Sequence, residues 1–165
     1  MTALITTEAD AFRAALPPEG ALLGIDLGTK TLGLALTDPV RTVATPHEVY
    51  ARGKFKSDSA RLGDLAASRE VAGIVIGLPF NMDGSSGSRV QATRAYARNL
   101  SEKLRLPILL WDERLSTVAA ERTLIAADAS RARRRDVIDK LAATLILQTA
   151  TDRLRAAPLD ADSAD

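Results

Sequence analysis

Residues 71 to 78 read Val-Ala-Gly-Ile-Val-Ile-Gly-Leu, a run with no polar side chain. A strand with one wet face alternates apolar and polar residues; this one does not. It reads as a strand buried on both faces, so the chain must lay helices above and below the sheet that contains it. Helical segments flank it. Ser57 to Glu70 carries Leu62, Leu65 and Ala66 at helical spacing, and Ser88-Arg89-Val90-Gln91 forms a capping box for a helix to about Leu104. The fold class is therefore α/β.

The rest of the chain fills in that plan. Thr7-Glu8-Ala9-Asp10 predicts a short helix to about Leu16, stopped by Pro17-Pro18. Residues 21 to 27 and 31 to 37 read as strands joined by Gly28-Thr29-Lys30 in a hairpin. A third strand covers Val43 to Tyr50, and Pro46 marks it as an edge or a strand start. Pro107 to Trp111 is a further short strand, running into Asp112-Glu113. Ser116 or Thr117 caps a helix to about Ala127. After an Arg-rich loop, Asp136 to Leu154 reads as the final helix. The prediction is one mixed five-stranded sheet, three antiparallel strands followed by parallel ones, with helices on both faces. Residues 1–156 make a single domain and 157–165 a disordered acidic tail.

Composition narrows the setting. A hydrophobic fraction of 46% suits a globular domain. No apolar stretch approaches the roughly 20 residues that span a bilayer, and MTALITTEADAF lacks the pattern of a signal peptide. The chain has no cysteine, which removes disulfides and thiolate metal sites and fits a cytoplasmic protein. Net charge is +1 and points to no partner, but its distribution does: residues 131–135 (RARRR) are strongly basic.

Acids occupy three awkward places. Asp26 interrupts an apolar strand, where a carboxylate costs free energy unless it is paired or metal-bound. Asp112 and Glu113 sit at the C-terminal end of a strand, where ligands gather in open α/β sheets. Asp139 lies on the final helix one turn before Ala142 and Ala143, small residues that allow a close approach to the sheet. Carboxylates converging from separate segments suit hard divalent cations such as Mg²⁺ or Mn²⁺. A pair of such ions supports phosphodiester hydrolysis. Each acid also fits a plainer role: Asp26 as a turn initiator, Asp112-Glu113 as a solvated strand end, Asp139 as the third helical residue after an Asp136 cap.

Read jointly, GIDLGTKTLGLALTDP, GLPFNMDGSSG, DERLST and VIDKLAATLILQ closely resemble the bacterial YqgF/RuvX family, over roughly residues 21 to 156. The resemblance implies an RNase H-like fold and a nuclease acting in maturation of the 5′ end of 16S rRNA. A Holliday junction resolvase is the alternative, and a non-catalytic RNA-binding module a further one. It makes Asp26, Glu113 and Asp139 the metal ligands, with Glu113 preferred over Asp112 and Asp112 kept open as a catalytic acid. The implied partners are precursor 16S rRNA, branched DNA and pre-ribosomal particles, bound by a monomer or weak homodimer and by no membrane.

Nucleic-acid contacts are expected from Lys30, Asn81, Arg89 and Arg114, and from Arg131, Arg133, Arg134 and Arg135. The loop after Leu78, with Asn81, Asp83, Gly84 and Ser85, could seat a phosphate on its amides and the following helix N-terminus. His47 reads as a surface or structural residue and Trp111 as core. GIDLGT also resembles the phosphate hairpin of actin-like ATPases. Those need two such halves, however, and 165 residues hold one. Measuring ATP binding separates that reading from a nuclease.

Overall fold

In a computed structural model of the chain the described residues are 3–119, 121–122 and 131–156, with side chains described except at 131–136. Six strands form one sheet: β1 (Ile5–Thr6), β2 (Ala21–Leu27), β3 (Thr31–Thr37), β4 (Ala44–Ala51), β5 (Val71–Leu78) and β6 (Ile108–Asp112). Their order is β1-β6-β5-β2-β3-β4. The meander β2-β3-β4 is antiparallel, and β5 runs parallel to β2, β6 to β5 and β1 to β6.

The expected five strands are thus joined by a sixth. Ile5 and Thr6 pair with Ile108 and Leu109, along the edge of β6 that would otherwise stand unpaired. Two residues are too few to leave a periodic signal in sequence. Pro46 does lie on an edge strand, at the register break between Leu34 and Ala35 of β3.

Helices α1 (Ala9–Ala15), α2 (Phe55–Ser68), α3 (Ser88–Leu104) and α4 (Arg131–Arg155) cover the sheet. Strand alternation sorts the core. Leu23, Ile25, Ile74, Ile76, Ile108 and Leu110 pack with Leu62 of α2 and Leu100 of α3. Leu22, Val75, Leu109 and Trp111 pack with Phe12 of α1 and Ile146 of α4. Among the described residues no helix is long and apolar enough to cross a membrane.

Helix α3 spans Ser88–Leu104 as expected, whereas the caps and the start of α4 differ. Glu8 precedes α1 and Gly87 precedes α3, and neither gives a side-chain cap. The Glu8 N–H bonds Thr6 Oγ1 instead, at 3.0 Å. The backbone of 131–135 is helical, not a loop, so Asp139 stands inside α4 rather than at its third residue. Arginine is a good helix former, and no glycine or proline interrupts that stretch. Ser116 Oγ does accept the Val118 N–H, at 3.2 Å, opening a helical turn. Residues 120 and 123–130 of that expected helix, and the tail 157–165, lie outside the described residues.

Close packing and polar clamps fix α4. A Cβ on Gly24 of β2 would stand 2.7 Å from Leu147 Cβ and 3.1 Å from the Ala143 carbonyl, so the helix rests against strand backbone there. Arg13 of α1 donates from Nε to the Leu154 carbonyl at 2.7 Å and from Nη2 to that of Ala156 at 3.0 Å, satisfying the helix C-terminus. Gln148 holds the other flank, accepting the Ala44 N–H at 2.8 Å and donating to the Thr42 carbonyl at 3.1 Å.

Candidate active site

Asp26 is the penultimate residue of β2, opposite Gly33 of β3, and it is only 8% exposed. It shares the strand face of Leu22 and Gly24, so its carboxylate points toward α4. Gly33 leaves room: a Cβ there would lie 3.5 Å from both Asp26 Cβ and the main-chain oxygen of Asp139. Glu113 opens a 3₁₀ turn directly after β6 and is 5% exposed. By alternation it follows Leu109 and Trp111 onto the α4 face. Asp139 is half-buried on α4. These three acids line one cleft of about 640 Å³ with Lys30, Arg89 and Arg122.

Arg122 bridges two of the acids. Its Nη1 donates to Glu113 Oε1 and Oε2 at 2.8 and 2.9 Å, and its Nη2 to Asp26 Oδ1 at 2.9 Å. Because β5 separates β2 from β6, the two strands stand about 10 Å apart at the sheet's ~4.8 Å spacing. A planar guanidinium fork spans such a gap between carboxylates. Burial pushes the Glu113 carboxyl up from its ordinary value; Arg122 opposes this and the Asp26 charge adds to it. Burial works against the Arg122 charge, but Asp26 and Glu113 outweigh it and hold the guanidinium above its usual pKa.

Asp112 takes the opposite face, with Ile108 and Leu110. Its oxygens accept Arg114 Nε at 3.0 Å, Arg114 Nη2 at 2.6 Å and the Arg114 N–H at 3.0 Å. Burial would raise this carboxyl, yet the Arg114 bonds prevail and hold it below the ordinary aspartate value. The Arg114 guanidinium lies 5.3 Å over the Phe80 ring, fastening the turn to the loop after β5. Neither Asp112 nor Arg114 lines the cleft.

The expected cations divide. Lys30 and Arg89 border the cleft, Arg89 anchored by Nη2 to the Leu27 carbonyl at 2.8 Å. Asn81 does not. Its N–H bonds the Ser85 carbonyl at 3.1 Å and its Nδ2 bonds Ser85 Oγ at 2.9 Å. These bonds brace the loop internally. Side chains of Arg131, Arg133, Arg134 and Arg135 lie outside the description. His47 is exposed on β4, and Trp111 is core, its Nε1 donating to Thr149 Oγ1 at 3.1 Å.

Two arginines escaped the sequence reading. Arg122 follows the fully buried Val118 by one helical turn, so a charge there falls on an inward face and requires an acid partner. Arg52 donates from Nη1 to the Gly28 carbonyl at 2.7 Å. With Arg89 it flanks a 240 Å³ recess beside the cleft. No local sequence pattern marks Arg52, because its partner lies across the hairpin.

The donor set suits a hard cation. Its acids offer carboxylate oxygens, the chain has no thiol, and the cleft already accepts one positive charge between Asp26 and Glu113. Among the described residues no three acids stand close enough to enclose an ion, the guanidinium lying between two of them.

An antiparallel meander continued by parallel strands, with helices on both faces and acids at the C-terminal strand ends, defines an RNase H-like α/β domain. The family model described as "RuvX: Holliday junction resolvase" matches residues 20–153, and the chain belongs to the RuvX family. It is 60% identical over 151 residues to a protein of Cereibacter sphaeroides named "Putative pre-16S rRNA nuclease", covering 92% of this chain and 94% of that one. A protein of the same name from Ruegeria pomeroyi is 56% identical over 152 residues, covering 92% and 99%. Among solved structures the chain is similar to Thermus thermophilus RuvC in complex with a Holliday junction substrate, with TM-score 0.49 and 12% identity, covering 82% of this chain and 96% of that one.

Proposed function

We propose that this protein is a divalent-metal-dependent nuclease that hydrolyses phosphodiester bonds in maturation of the 5′ end of precursor 16S rRNA. The observation that carries the reading is that Asp26, Glu113 and Asp139, from β2, the end of β6 and α4, all line one cleft bordered by basic side chains. The relatives' shared name, at this identity and coverage, supports the substrate.

Asp26, Glu113 and Asp139 would hold Mg²⁺ or Mn²⁺. When bound, such an ion lowers the pKa of a coordinated water and stabilises charge on the leaving oxygen. The remaining work falls to the chain. Lys30 and Arg89 attract and orient the phosphate beside the acids. The Leu27 carbonyl fixes Arg89, so its remaining N–H groups face the substrate from a set position. Arg131, Arg133, Arg134 and Arg135 supply backbone contacts farther along the RNA.

Resolution of a four-way junction needs two symmetric nicks and so two sites in a dimer, whereas cutting of one strand needs one. Depletion in cells, followed by mapping of 16S 5′ ends, tests the assignment. Accumulated 5′-extended precursor is expected. Normal 5′ ends, with symmetric junction nicking by a stable dimer, would favour a resolvase.

A further inference from the structure

Among the described residues Arg122 makes three charge-assisted hydrogen bonds, to Asp26 and Glu113, and places its guanidinium between the two carboxylates. Both acids are nearly sealed from water, at 8% and 5% exposure. Two like charges so placed repel and lack hydration unless a cation joins them. In this cleft the chain provides that cation itself. A guanidinium fork on both Glu113 oxygens and one Asp26 oxygen occupies the space between the two carboxylates that an ion bridging them would need.

We propose that Arg122 is the resident counter-ion of the carboxylate site, and that its guanidinium and a divalent metal are alternative occupants of Asp26 and Glu113. Metal entry then requires Arg122 to withdraw, so Arg122 sets the metal affinity of the site. Arg122 is a positioning residue here: it holds the two acids folded and facing each other before the ion arrives. The proposal rests on the metal-dependent reading above, but it concerns occupancy rather than cleavage.

The test is Mn²⁺ binding, followed by calorimetry without nucleic acid, in the unmutated protein, Arg122→Gln and Arg89→Gln. Arg89 supplies the control because its charge also acts on Glu113 while its hydrogen bond goes to the Leu27 carbonyl. Removing the competitor should tighten Mn²⁺ binding at least about tenfold in Arg122→Gln. Loss of a more distant charge should change it by less than about threefold. Nitrogen NMR of the Arg122 side chain in the unmutated protein gives a second readout that survives a poorly folded variant. Its guanidinium rotation should be hindered in chelator and freed by diamagnetic Mg²⁺.

Equal Mn²⁺ affinity in the unmutated protein and Arg122→Gln overturns the proposal and leaves the metal site standing. So does equal tightening by Arg89→Gln, or an Arg122 signal that Mg²⁺ does not move. Absence of Mn²⁺ binding in all three proteins removes the metal reading and the proposal together.

Discussion

Alternation along β6 sends two adjacent acids to opposite faces of the sheet. Leu109 and Trp111 face α4 and carry Glu113 with them, whereas Ile108 and Leu110 put Asp112 on the opposite face. Asp26→Asn, Glu113→Gln and Asp139→Asn, which keep volume and remove charge, should each lower turnover about a hundredfold or more. Asp112→Asn should retain cleavage and instead lose about 1 kcal/mol of stability as its Arg114 pairing weakens. Steady-state cleavage and denaturant unfolding of the four variants check both halves. The acids were legible in sequence because each stands in an awkward place: inside an apolar strand, at a strand end, and on a helix one turn before small residues. Their grouping was legible only through the joint motifs. Arg122 was passed over because its partners are distant in the chain, although its spacing from Val118 placed it on an inward face.

At the scale of elements, β5 and the hairpin were readable from apolar pattern and from Gly28, and edge strand β4 from Pro46. The α3 helix was readable too, running Ser88–Leu104 as its capping-box pattern marks, but the caps were not: Glu8 and Gly87 precede α1 and α3, and neither gives a side-chain cap. Approach of α4 to the sheet depends on missing side chains. Gly24→Ala should cost about 1–3 kcal/mol, since its Cβ meets Leu147 Cβ and main chain. Gly77→Ala should cost less, because the nearest atom is the far end of Ile146. Thermal unfolding of the two variants ranks them, and the reverse order would contradict this packing.

The β3-β4 turn has its own pH signature. Asp38 accepts the Val43 and Thr42 N–H groups, each at 2.8 Å, and the Thr42 hydroxyl at 2.8 Å. The Val43 bond leads in holding its carboxyl down to about 2, with burial opposing it and the two Thr42 bonds adding to it. A depressed folded-state pKa contributes stability that is complete above the ordinary value of 3.8 and lost as pH falls through about 2. Asp38→Ala should therefore be less stable than the unmutated protein at pH 5, with the difference shrinking toward pH 2. A difference that stays constant across denaturant melts over that range would contradict the turn's role.

For the whole molecule, sheet order is what makes a site. Setting β5 between β2 and β6 spaces Asp26 and Glu113 across a gap that a cation fills, and α4 crosses that end of the sheet to bring Asp139. Arg13 and Gln148 clamp the helix at its C-terminal half, far along the chain from the acid it delivers. Composition was silent on all of this, because a net charge of +1 conceals acids gathered inside a basic rim. The most direct test is incubation of purified protein with 5′-extended 16S precursor RNA, in Mn²⁺ and in EDTA, beside Asp26→Asn. Cleavage at the 5′ leader in Mn²⁺ alone, absent from the variant, is the predicted result. Full cleavage in EDTA, or by Asp26→Asn, would contradict the account.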